Sequence, residues 1–185
     1  MQVTGHLPVS DAGIRVRQLR HADAEAFARG TEDPAVQQFA HLPLANYTPE
    51  IVREQIDGVI AQGLADGSLA VLAIADEESD RFLGSVVLFD PHEDRAEVGF
   101  WLTPEARGRG AAAAAVRAIG SLAAKAGLSW LEARTSPENV ASRRVLEACG
   151  FEQRGGVTEQ ETPSGEVAQV IEFEAPVSRF VRGQG

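Results

Sequence analysis

Between residues 103 and 115 the sequence reads Thr-Pro-Glu-Ala-Arg-Gly-Arg-Gly and then five alanines, a glycine-rich turn feeding an alanine-rich run. The strand-like run Ala-Glu-Val-Gly-Phe-Trp-Leu at 96–102 precedes it, and a helical pattern continues to about residue 126. A strand, a glycine turn and a helix start in that order make a place suited to an anion. Unpaired N–H groups point outward at a helix N-terminus, the helix dipole favours negative charge, and glycines let the main chain approach what a Cβ would hold away.

Three phosphate-binding patterns compete for the loop. A P-loop is excluded because the only lysine is Lys125 and no Gly-Lys-Ser/Thr occurs. The dinucleotide fingerprint is formally met by Gly108, Gly110 and Ala113, with Glu132 at a suitable distance. Its context does not suit: residues 103–107 separate the strand from the glycines, a β-meander precedes them, and Glu132 falls inside a strand. The third pattern is Arg-x-x-Gly-x-Ala, formed by Arg107, Gly110 and Ala112.

The charge distribution agrees with a local anion site. The chain carries a net charge of −10, which argues against a general nucleic-acid binder or an anionic-membrane binder. Residues 107–144 hold seven basic and two acidic residues, a net +5, leaving the remainder at −15. Residues 1–11 lack the basic and apolar regions of a secretory signal, and no apolar run reaches the length of about 18 residues that spans a bilayer. With a single cysteine, Cys149, and four scattered histidines, no disulfide or metal site is expected, and a reducing, cytoplasmic location is.

Periodicity and capping residues give the element order. Strands are expected at 14–19, 69–75, 82–89, 96–102, 130–134, 151–157 and 167–174. Helices are expected at 23–30, at 48–66 behind Thr48 and Pro49, from 110 to 126, and from Ser136-Pro137 to a stop at Gly150. This is an α/β (α+β) order: a mixed sheet with helices on its faces, one domain over 13–175 between tails at 1–12 and 176–185.

The loop and its surroundings resemble the GNAT (general N-acetyltransferase) superfamily. Residues 107–112 match its coenzyme A pyrophosphate motif. Residues 139–151, Asn-Val-Ala-Ser-Arg-Arg-Val-Leu-Glu-Ala-Cys-Gly-Phe, match the Asn-x-x-Ser-x-x-x-Leu-x-x-x-Gly-Phe signature that follows it. The opening Ile-Arg-Val-Arg-Gln-Leu-Arg at 14–20, with Asp23 starting a helix, is similar to the branch that acetylates N-termini of ribosomal proteins.

That resemblance implies the GNAT fold, a mostly antiparallel sheet of about seven strands splayed after the fourth, with about four flanking helices. It implies an acyltransferase that moves acetyl from acetyl-CoA directly to a primary amine, a protein N-terminus or a small molecule, in a ternary complex. Backbone of Phe100, Leu102 and Thr103 would hold the pantetheine arm. Arg107 and the amides of Gly108, Arg109, Gly110, Ala111 and Ala112 would hold the pyrophosphate. Asn139 and Ser142 would meet the pantetheine end, and Arg109 with Arg143 or Arg144 would supply charge for the 3′-phosphate. Glu97 matches the branch's general base, acting through water, and shares a strand face with Gly99 and Trp101. Many relatives place a tyrosine acid where this chain has Leu146, so Ser142 is the candidate acid. His41, Tyr47 and Trp101 are candidates for the acceptor side, and the acidic remainder of the chain favours a cationic acceptor.

Oligomeric state is left open, a homodimer included. A non-catalytic acyl-CoA-binding module is the alternative reading, and an NAD-dependent oxidoreductase a distant one.

Overall fold

Apolar residues alternate at 14–18 and run continuously at 70–75. In the computed structural model, which describes residues 1–181, both segments are interior strands of one eight-stranded sheet. Its strands are β1 (Val9–Asp11), β2 (Ile14–Gln18), β3 (Ala70–Asp76), β4 (Phe82–His92), β5 (Arg95–Leu102), β6 (Trp130–Thr135), β7 (Glu152–Glu161) and β8 (Val167–Pro176). They lie in the order β1-β2-β3-β4-β5-β6-β8-β7, antiparallel throughout except for the parallel pair β5 and β6. The mixed sheet matches expectation, with β5 as the fourth of the anticipated strands and β1 as an addition.

Among the described residues six α-helices complete the order: α1 (Ala24–Thr31), α2 (Pro34–Phe39), α3 (Pro49–Gln55), α4 (Ala61–Asp66), α5 (Ala111–Lys125) and α6 (Val140–Ala148). The single helix expected over 48–66 is α3 and α4 joined by a π turn, because Gly58 departs from helical geometry at φ −100° and ψ −106°. Helix α2 was not anticipated. It is capped by Asp33, whose carboxylate accepts from the Ala35 and Val36 amides, with Pro34 at the first helical position. Helix α6 stops as expected: Gly150 takes φ +83° and the Phe151 N–H donates to the Leu146 carbonyl, a Schellman closure.

Both faces of the sheet are buried. Helix α5 covers one, with Val16, Leu72, Ile74, Val98, Ile119, Leu131 and Phe173 in its core. Helices α1 to α3 cover the other around Leu19, Phe27, Tyr47, Val52, Phe82 and Trp101. Consecutive β5 residues therefore serve opposite cores, as the period of two requires. Phe27 stands edge-on to Trp101 at 5.1 Å between centroids, which fixes the end of β5 against α1.

The segments expected to be tails are structured where they are described. Val3 is buried, and β1 pairs with β2 from Val9–Val16 to Asp11–Ile14. At the other end a 3₁₀ turn, Val177–Phe180, buries Val177 and Phe180; the last four residues of the expected tail, 182–185, lie outside the described residues. Phe180 packs so closely on α5 that a Cβ at Gly120 would stand 2.2 Å from its ring. Gly120→Val therefore lowers unfolding stability by about 1–3 kcal/mol in urea titrations. An unchanged midpoint would contradict this packing.

Candidate functional site

The parallel pairing of β5 and β6 lasts three rungs, Arg95–Trp130, Ala96–Leu131 and Glu97–Glu132. Beyond them β6 stays with β8 as far as Thr135–Ile171, while β5 from Val98 to Leu102 keeps only β4. The sheet opens into a V with Glu97 at its apex, and one edge of β5 carries free backbone groups there.

A cleft of about 570 Å³ lies over this opening. The end of β5 supplies Phe100, Trp101 and Leu102; the following loop and α5 supply Arg107, Gly108, Gly110, Ala111, Ala112 and Ala113; α6 and its cap supply Asn139, Ala141, Ser142 and Val145. The fourth wall is α2, through Ala35, Val36, Phe39 and Ala40.

The glycine loop has the geometry its sequence requires. Gly108 and Gly110 take φ +74° and +77°, and no atom lies within 4 Å of where a Cβ would stand on either, so both border open space. The first bond into α5 runs from the Ala114 N–H to the Gly110 carbonyl at 3.0 Å. Among the described residues the amides of Ala111, Ala112 and Ala113 have no acceptor, and they stand at the positive end of a fifteen-residue helix. A pyrophosphate fits that donor set and that cradle.

The Arg107 guanidinium is committed within the protein. It donates to the Leu102 carbonyl at 3.0 Å and pairs with Asp33, holding the α2 cap against the end of β5. This pairing holds the Asp33 carboxyl below the usual carboxylate range. Thr103 stands outside the cleft lining, its amide donating to the Leu83 carbonyl at 2.9 Å. Arg109 and Arg144 are exposed and also outside the lining, with side chains directed to solvent. Arg143 spans to the Pro137 carbonyl at 3.4 Å, and its buried Nε has no partner among the described residues.

Asn139 caps α6, its side-chain oxygen accepting from the Ser142 amide at 3.1 Å. The Ser142 hydroxyl has no hydrogen bond among the described residues and faces the cleft. Of the three acceptor-side candidates Trp101 alone lines the cleft. Tyr47 is buried beside Phe27, its hydroxyl accepting from the Leu44 amide at 3.4 Å, and burial pushes its pKa up. His41 sits half-buried in the α2–α3 connection at φ +46°. Cys149 is buried with its thiol against the Ala113 carbonyl, and desolvation raises its pKa, which suits an inert core thiol.

Glu97 is 12% exposed and meets a group the sequence did not single out. Arg134, on β6 past the last shared rung, shares its Nε–H between both carboxylate oxygens at 3.0 and 2.9 Å, and a terminal nitrogen lies 2.8 Å from one of them as an ion pair. Burial raises the Glu97 pKa, and the Arg134 hydrogen bonds and charge oppose it. Only the Asp33-Pro34 cap signal for α2 was readable beforehand among the missed features; the Arg134 pairing had no signal in one strand's spacing.

The sequence profile of the acetyltransferase (GNAT) domain matches residues 14–152. The chain belongs to the GNAT family. It is an acyltransferase domain of that family, and GNAT acetyltransferases take their acyl group from acetyl-CoA. The uncharacterized N-acetyltransferase p20 of Bacillus licheniformis is 24% identical over 164 residues, covering 86% of this chain and 90% of its own. Among solved structures, Mycobacterium smegmatis RimJ in complex with CoA-disulfide superposes with a TM-score of 0.80 at 19% identity, over 95% of this chain and 88% of that one. Vibrio cholerae spermidine N-acetyltransferase in complex with CoA and spermine gives 0.76 at 16%, over 92% and 99%. At these identities the superpositions establish the GNAT fold. Among the described residues no helix is long and apolar enough to cross a membrane.

Proposed function

We propose that this chain is an acetyl-CoA-dependent N-acetyltransferase acting on a primary amine in a ternary complex. The observation that carries the reading is the free-amide start of α5 opening onto the gap between β5 and β6, with a buried glutamate at the apex. Gly108, Gly110 and the amides of Ala111 to Ala113 bind the pyrophosphate, and Arg109 and Arg144 add positive field near the 3′-phosphate. The edge of β5 at Phe100 and the Leu102 amide, left without a strand partner, accepts the amide-bearing arm, with Asn139 and Ser142 on the facing helix and its cap.

Acetyl-CoA, when bound, supplies the acetyl group as a thioester. Overall an ammonium and the thioester become an amide, a thiol and one released proton. An alkyl ammonium of pKa near 10 is almost wholly protonated at pH 7, so the acceptor must lose a proton before it can attack. Glu97 takes that proton, directly or through a water. Its raised pKa makes it a better proton acceptor than a solvated carboxylate. The unpartnered Ser142 hydroxyl donates to the departing sulfur.

The acceptor class is read from charge and from likeness. Outside residues 107–144 the chain has a net charge of −15, which favours a cationic acceptor. Its structural relatives include the spermidine N-acetyltransferase just described and a ribosomal L7/L12 α-N-protein acetyltransferase. The test incubates the protein and acetyl-CoA with spermine or with peptides bearing free alanyl or seryl N-termini, following thiol release and product mass. Thiol release tied to an acetylated amine is expected. Acetyl-CoA binding with no transfer to any amine would favour the non-catalytic binding module.

A further inference from the structure

We propose that Arg134 is the positioning residue of the site, bridging β5 and β6 where their backbone pairing ends and holding the Glu97 carboxylate at the apex of the gap. The proposal rests on Glu97 being the proton acceptor. Its basis is the choice of partner. Arg134 lies directly across from Glu172 on β8, the neighbour a cross-strand ion pair would use. Its guanidinium turns instead toward β5, whose Glu97 is in register with Glu132, two residues earlier on β6. Glu172 receives the Gln160 side-chain amide in its place.

The remaining Arg134 nitrogen donates to the Gln160 side-chain oxygen at 2.9 Å and to the Glu161 carbonyl at 3.3 Å. One side chain thus ties the carboxylate of β5 to the end of β7, at the point where the pairing of β5 with β6 ends. With the two side chains 12% and 26% exposed, this is a shielded pair with forked geometry, unlike a surface contact. Oε1, which meets Nε alone, keeps a lone pair for a water or an ammonium, while the contact of two Arg134 nitrogens with Oε2 prevents the carboxylate from rotating away.

The charges that act on Glu97 have opposing signs. Arg134 on β6 favours its ionised form, while burial, Asp90 on β4 and Glu132 on β6 disfavour it; Glu172 on β8 acts on Arg134. Without Arg134 the carboxyl is left with burial and like charges only. Its midpoint would then rise, and a smaller share of it would be ionised to accept a proton from the acceptor.

The experiment is a pH titration of ¹³C-glutamate-labelled full-length protein followed by carboxyl NMR, the Glu97 resonance being identified by its loss in Glu97→Gln. In Arg134→Met the Glu97 midpoint moves up by about one pH unit or more, and in Arg134→Lys it returns toward that of the parent. If Arg134→Met does not fold, the Lys variant decides alone: charge without the fork still leaves the midpoint above the parent's. An unmoved midpoint in a folded variant overturns the inference. Undiminished turnover of Glu97→Gln in the transfer assay overturns the proton-acceptor reading instead, and this inference with it. A slowed Glu97→Gln beside an unmoved midpoint overturns this inference alone.

Discussion

Gly110→Val weakens acetyl-CoA binding about 100-fold while the protein stays folded. Gly110 caps α5 at φ +77°, a conformation that a β-branched residue adopts only with strain, so the turn re-forms and the amides of Ala111 to Ala113 turn away from their common target. Losing two charge-assisted hydrogen bonds at about 1.5 kcal/mol each gives about 3 kcal/mol, which is about 100-fold in affinity. Nothing lies within 4 Å of the new Cβ, so the core is untouched. Gly155→Val is the control, since Gly155 has φ +63° and open space but belongs to the edge strand β7, away from the cleft. It carries similar strain and leaves affinity unchanged. Calorimetry reads affinity, circular dichroism reads folding, and full affinity in folded Gly110→Val contradicts the role given to the loop.

Glu97→Gln lowers kcat at neutral pH by about 10²–10⁴-fold, the usual contribution of a positioned general base. The amide keeps the shape and still accepts from Arg134, so the loss is one of proton acceptance. In the parent enzyme the acidic limb of kcat/KM lies above the ordinary carboxylate range, because burial raises the Glu97 pKa. The sign follows from the mechanism: activity rises as Glu97 ionises, so the limb ascends with pH through the raised value. In the variant that limb disappears, and the deficit shrinks toward pH 10, where the free amine is abundant. A pH–rate profile with the same acidic limb in both proteins would remove Glu97 from this role.

The parts of this account that one-dimensional pattern carries were legible in the sequence. The β3–β4–β5 meander, the glycine turn at 108–110 and the Gly150 stop of α6 depend on local chemistry, and each stands where expected. What could not be read there depends on contacts across the fold. β1 is only three residues long and exists because it pairs with β2. Helix α2 is six residues, below the length at which periodicity speaks, although Asp33-Pro34 signalled a helix start. Gly58 breaks the 48–66 helix because an exposed glycine interior to a helix holds the helical conformation weakly.

The site divides along the same line. Phe100, Leu102, Gly108, Gly110, Ala111, Ala112, Asn139 and Ser142 gather around one cleft because their motifs are local to an element end. The family resemblance puts Tyr47 in a segment bordering the acceptor side, and the aromatic cluster with Phe27 holds its ring in the core. The Glu97–Arg134 pair joins residues 37 positions apart on strands whose register only the folded sheet reveals.

Calorimetric titration of the full chain with acetyl-CoA, with NAD as the control ligand, tests the central claim most directly. The account predicts saturable, micromolar binding of acetyl-CoA and none of NAD. Absence of acetyl-CoA binding to folded protein would contradict it, and binding of NAD in its place would return the glycine loop to the dinucleotide reading.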